Sequence, residues 1–273
     1  MASKKKRRPS KTVRAARGAS VVGKKGVPWL TILSVAGIVA LAGTVGGYYF
    51  VKTAGKREQA AREEAAAAFV PSASNPDPSN KIDGVFKGDY AGRAHLRPPE
   101  RVKYDRSPPV GGPHDGTWAT CTGTVYPNAV RTENMVHSLE HGAVWIAYNP
   151  QLLSGDALEK LKSRVQSKPF SMMSPYPGLD KPISLQSWGH QLKVDSVDDQ
   201  RIDQFIVALR QNPNGVYPEV GATCDSVAPE QLPPFDPTPP GSDAKPMDYK
   251  GSEGAAQDQT PPGQPPVTPR PGG

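Results

Sequence analysis

Residues 29–51, WLTILSVAGIVALAGTVGGYYFV, run for 23 positions without a charged side chain. About 20 such residues carry a helix across the hydrocarbon core of a bilayer, so this segment constrains the chain more than any other. Trp29 at one end and Tyr48 and Tyr49 at the other fall where an aromatic belt belongs. The run is longer than the apolar core of a signal peptide, and no small-x-small cleavage site ends it. Residues 1–26 carry ten Lys or Arg and no acid; against a net charge of +7, this leaves −3 for everything after Gly26. The positive-inside rule then expects residues 1–26 in the cytoplasm and the chain from residue 52 outside. A basic arm alone also suits nucleic acid. Beside a spanning segment, orientation and contact with anionic head groups account for it, and no nucleic-acid partner is expected. The expectation is a single-pass protein of the cell membrane with the bilayer as its first partner.

The chain beyond the span has too little apolar material for two globular domains. Apolar residues are 36% of the whole sequence, which also holds 31 prolines and 27 glycines. The expected fold class is α+β: an N-terminal transmembrane helix, one small extracytoplasmic domain, and a disordered or extended Pro-rich tail. The boundaries read as a basic arm over 1–26, the membrane helix over 27–51 and a helical stalk over 52–70. An extended Pro-rich linker comes next over 71–110, then the domain over 111–228 and the tail over 229–273. The stalk rests on KREQAAREEAAAAF (56–69), made of strong helix formers with interleaved charges. Within the domain, AVWIAY (143–148), FSMMS (170–174) and PISLQSWGHQLKVD (182–195) read as strands, the last broken at Gly189. Residues 155–167 and 198–212 carry apolar side chains at helical spacing. Thirteen of the last 45 residues are proline, and such a segment stays disordered or folds along a partner.

The two cysteines, Cys121 and Cys224, both lie beyond the span. In an oxidising compartment a disulfide between them is the expected pairing; a thiolate metal site lacks any C-x-x-C spacing. The chemistry concentrates in NMVHSLEHGAVWIAY (134–148), where His137, Glu140 and His141 spell H-x-x-E-H, a zinc-peptidase signature. That motif needs a stable helix, and Gly142 with a strand-like run behind it leaves one or two turns at most. A zinc-dependent hydrolase is therefore the third reading. The leading one is a non-hydrolytic metal site with His137 and His141 as ligands, His114 and Met135 as additions and Glu140 orienting an imidazole. Thioether with imidazole suits copper, with zinc as the alternative metal. The competing reading is a hydrogen-bonded corner in a non-catalytic structural subunit without metal.

GGPH (111–114), HSLEHGAVWIAY (137–148), SPYPGL (174–179), SWG (187–189) and the Gly-Ala-x-Cys at 221–224 together resemble an uncharacterised, mainly actinobacterial family of single-pass membrane proteins. His114, His137, Glu140, His141, Tyr176, Pro177, Gly178, Trp188 and Cys224 match its pattern. His190 departs from it, since a basic residue is more usual there. The resemblance covers about residues 80–225 and implies a shared extracytoplasmic domain of unknown function. Related bacteria carry small single-pass accessory proteins around the cytochrome bcc–aa3 respiratory supercomplex. By that association the expected partner is a larger membrane complex of this type, which the chain serves as an accessory or assembly subunit and not as an enzyme.

Overall fold

A computed structural model describes residues 26–251 except Arg93; most of the basic arm and the last 22 residues of the tail lie outside the described residues. The chain forms two compact units, one ending at Gly55 and one starting at Lys56. Helix α1 spans Trp29–Ala66. Its 38 residues measure about 57 Å at 1.5 Å per residue. The apolar side chains from Trp29 to Val51, Leu30, Ile38, Leu41 and Phe50 among them, are exposed. Such a segment is apolar on all sides, and α1 is long and apolar enough to cross a membrane.

The second unit is a mixed α/β domain around a six-stranded sheet. Its strands and helices are numbered in chain order. β1 is Phe86–Lys87, β2 His95–Leu96, β3 His114–Asp115 and β4 Thr122–Val125. Then come α2 (Thr132–Glu140), β5 (Val144–Tyr148), α3 (Gly155–Lys162) and β6 (Ser171–Pro175). A hairpin of β7 (Ile183–Ser187) and β8 (His190–Val194) leads into α4 (Arg201–Leu209). The spatial order is β1-β8-β7-β5-β6-β4; β4, β5 and β6 are parallel, and the hairpin side is antiparallel. β2 and β3 form a separate parallel pair.

β5 shows why its sequence is unbroken in apolarity. Val144, Ile146 and Tyr148 join Leu161, Leu185 and Phe205 in one core. Trp145 and Ala147 join Met135, Leu139 and Met172 in the other. Both faces are covered, so neither parity is free to be polar. The two cores divide the helices: α3 and α4 serve the first, α2 the second.

Three segments differ from the sequence expectation. The expected linker over 71–110 supplies β1 and β2, and it buries Ile82, Leu96, Val102 and Val110. Two-residue strands are held by backbone hydrogen bonds and leave no periodicity to read. The stalk, from Lys56 onward, is not free: Arg62 reaches Asp203 at 3.6 Å, Glu58 pairs with Lys160, and Ala66 is buried. The described part of the tail runs back over its own domain. Arg131 N–H donates to the Pro233 carbonyl (2.9 Å), Phe235 to Ala129 (3.1 Å), and Lys103 to Lys245 (2.8 Å). Proline lacks a donor but keeps its acceptor, which is how a Pro-rich strip pairs with a domain.

Candidate metal centre

The site grows from the pairing of two very short strands. β2 and β3 run parallel with His95 opposite His114, and the His114 N–H donates to the Ala94 carbonyl at 3.0 Å. Asp115 then anchors the pair to the start of α2: its carboxylate accepts from Thr117 N–H at 2.8 Å and pairs with the buried Arg131 guanidinium. Arg131 also donates to the Glu100 carbonyl, and Glu133 in the first turn accepts from Val102 N–H at 3.1 Å. Further along α2, Asn134 donates to the Thr117 carbonyl (2.8 Å) and Ser138 to the Ala119 carbonyl (2.6 Å). One polar stripe of the helix is thereby strapped to the chain leaving β3. That fixes His137, Glu140 and His141 against His114.

His95, His114, His137 and Glu140 are each 2% exposed or less. One ligand atom from each lies within 4.8 Å of the others. A tetrahedral ion with bonds near 2.0–2.1 Å would set its donors about 3.3 Å apart, so small side-chain movements close the set. The tautomers support convergence. His114 Nδ1 faces the Gly112 carbonyl at 2.8 Å, and His137 Nδ1 faces the Asp115 carbonyl at 2.6 Å. Each carbonyl takes an N–H, which leaves Nε2 as the lone-pair nitrogen on the cluster side; this is the outer arrangement usual for metal-binding histidines. His114 Nε2 lies 2.8 Å from Glu140 Oε2. Burial, then the imidazoles of His114, His141 and His95, hold His137 well below the usual histidine range, so its ring is neutral and keeps a lone pair for a cation.

A second set shares His137. His137, His141 and Glu219 also offer donors within 4.8 Å of one another. His141 Nδ1 faces the Thr223 carbonyl at 2.7 Å, and its Nε2 lies 3.3 Å from Glu219. The disulfide Cys121–Cys224, with Cα atoms 4.9 Å apart, secures the residue next to Thr223. Trp118 packs on His137 and His141, and Trp188 meets His114 edge-on, with ring centroids 4.8–5.9 Å apart. Both indoles are buried and wall the cluster from water. Gly92 lets the chain pass directly over Glu140: a Cβ there would collide with the carboxylate and with Pro218.

The structure thus gathers His114, His137, Glu140 and His141 from the sequence-predicted set, and the two cysteines pair. Met135 is not gathered. Two residues from His137, it is turned by about 200° and packs in the second core with Leu139 and Trp145. The helix itself corrects the reading of H-x-x-E-H. α2 runs nine residues, about two and a half turns, before Gly142 ends it at φ +88°. Glu140 stands among the candidate donors instead of only behind an imidazole. His190 lies elsewhere, between the Trp188 carbonyl (2.6 Å) and Asp77 (3.4 Å). His95 and Glu219 escaped the sequence reading. His95 sits in a segment without periodicity, and only the strand pairing with His114 reveals it.

Fold and cluster together define the class: a mixed α/β domain with a disulfide and a buried histidine–carboxylate centre. Residues 95–226 match the family model described as "Protein of unknown function (DUF3105)", so this stretch is similar to a family of unknown function, as its motifs imply. The matched stretch begins at His95 and takes in both ligand sets and both cysteines. No curated protein and no solved structure matches the chain.

Proposed function

We propose that this chain is a membrane-anchored, non-catalytic subunit whose extracytoplasmic domain holds one divalent transition-metal ion in His95, His114, His137 and Glu140. The observation that carries the reading is the convergence of those four donors in a fully buried site. Three imidazoles and a carboxylate directed at one point are a donor set that a divalent transition-metal ion accepts. Three nitrogens and one carboxylate oxygen suit zinc first, with copper(II) as the competitor; the thioether that favoured copper lies on the far side of α2. Four protein donors complete a tetrahedral shell and leave no position for the water a hydrolase activates. The exposed apolar length of α1 supports anchoring, with the N-terminus cytoplasmic by the charge of residues 1–26. A larger membrane complex of the respiratory bcc–aa3 type is the partner, served in an accessory or assembly role.

The test is metal content of the full chain purified from membranes without chelator, with its co-purifying proteins identified. One ion per chain is expected, lost in His114→Ala and His137→Ala. A metal-free wild type that stays metal-free after incubation with Zn²⁺ and Cu²⁺ refutes the metal reading. Hydrolysis that vanishes in Glu140→Gln refutes the non-catalytic one.

A further inference from the structure

The two ligand sets overlap at one side chain. His137 Nδ1 is engaged by the Asp115 carbonyl at 2.6 Å, which leaves a single nitrogen for coordination. One lone pair binds one ion, so the inner set (His95, His114, His137, Glu140) and the outer set (His137, His141, Glu219) cannot both be complete. They also differ in access. Every inner residue is 2% exposed or less, whereas the Glu219 side chain is 13% exposed and its neighbours Val220, Gly221 and Thr223 face solvent. The rings of His137 and His141 lie 4.7 Å apart, and those of His114 and His137 also 4.7 Å. The donors thus form a chain from surface to interior with His137 in its middle.

Resting on the metal reading above, we propose that Glu219 and His141 are the entry port through which the ion reaches the buried set. A hydrated divalent ion cannot lose its whole water shell in one step without a large desolvation penalty. Glu219, at the surface, exchanges the first waters for a carboxylate. His141, its Nδ1 held by the Thr223 carbonyl at 2.7 Å, presents Nε2 to the same ion. His137 binds next and keeps its bond as the ion moves inward. Bonds to Glu219 and His141 break while bonds to His114, His95 and Glu140 form. No electron is transferred: each bond made to an inner donor replaces one broken to an outer donor. The port and the interior each offer the ion one carboxylate. Glu219 N–H donates to the Glu140 carbonyl at 3.1 Å, which keeps the two carboxylate-bearing segments in register.

Loading of Co²⁺ into the metal-stripped full chain in detergent micelles tests this, followed by stopped-flow absorption of the tetrahedral cobalt bands. Wild type should take up one ion. Glu219→Gln and His141→Gln should slow loading at least tenfold and still reach one ion per chain. Glu140→Gln, an isosteric change in the inner set, should instead weaken final affinity tenfold or more, with the first rapid phase retained. Loading of Glu219→Gln at the wild-type rate overturns the port while leaving the metal reading intact. Final affinities that fall equally in inner and outer variants also overturn it, because the donors then form one site. A wild type that never binds Co²⁺ overturns both.

Discussion

Cys121 and Cys224 close a loop across a sequence separation of 103 residues that contains the sheet core, α2 and much of both ligand sets. In the chain-entropy model, a loop of that length contributes about 4.7 kcal/mol at 25 °C by restricting the unfolded chain. Both cysteines are buried, and Cys121 N–H donates to the Cys224 carbonyl at 3.0 Å, so the bridge lies on a backbone contact the fold makes anyway. The Cys121→Ala, Cys224→Ala double variant should therefore lose about 4–5 kcal/mol. For a unit of this size, about 2–4 °C per kcal/mol converts that to a Tm lower by roughly 10–20 °C. Full-length protein in micelles, unfolded by heat and by guanidinium with near-ultraviolet circular dichroism as the probe, reads both quantities. Treating wild type with a reductant under the same conditions should reproduce most of the loss. The Thr223 carbonyl that holds His141 is one residue from the bridge, so metal loading should slow in the same variant. A loss below about 1 kcal/mol with an unchanged guanidinium slope would refute the entropic reasoning.

Other perturbations act on the site more directly. Gly92→Ala forces its new Cβ into the Glu140 carboxylate and should weaken metal binding about 10–100-fold, measured by chelator competition, with the secondary structure unchanged. Arg131→Met leaves the buried Asp115 carboxylate without its partner and should cost about 3–5 kcal/mol in guanidinium unfolding; a cost near zero would mean that the ion pair does not hold β3 to α2. The metal-free protein should lose stability on acidification. His137 is held below the ordinary value near 6.5 in the folded state, by burial and then by neighbouring imidazoles. The unfolded chain therefore binds the extra proton first. The contribution is complete above pH 6.5 and is lost as pH falls below it, by up to about 1.4 kcal/mol per pH unit. Bound metal should remove most of that slope until it is displaced by acid.

Much of the fold is written locally. The 23 uncharged residues of 29–51 are enough by themselves to give a helix long and apolar enough to cross a bilayer, in which a helix satisfies its own backbone groups. AVWIAY declares a buried strand, and the apolar spacing of 201–209 declares a helix, because each element buries side chains at its own period. H-x-x-E-H marks where polar atoms converge, since neighbouring turns of one helix bring His137 and Glu140 to one side. What only the tertiary structure decides is which distant residues complete the site. His95 enters through a two-residue strand paired with β3, Glu219 through a loop crossing the end of α2, and Met135 leaves because its side of the helix faces the core. Strand pairing, loop closure and the choice of buried face are non-local contacts. Their free energy depends on partners up to 124 positions apart, between His95 and Glu219, and no local pattern of residues records it.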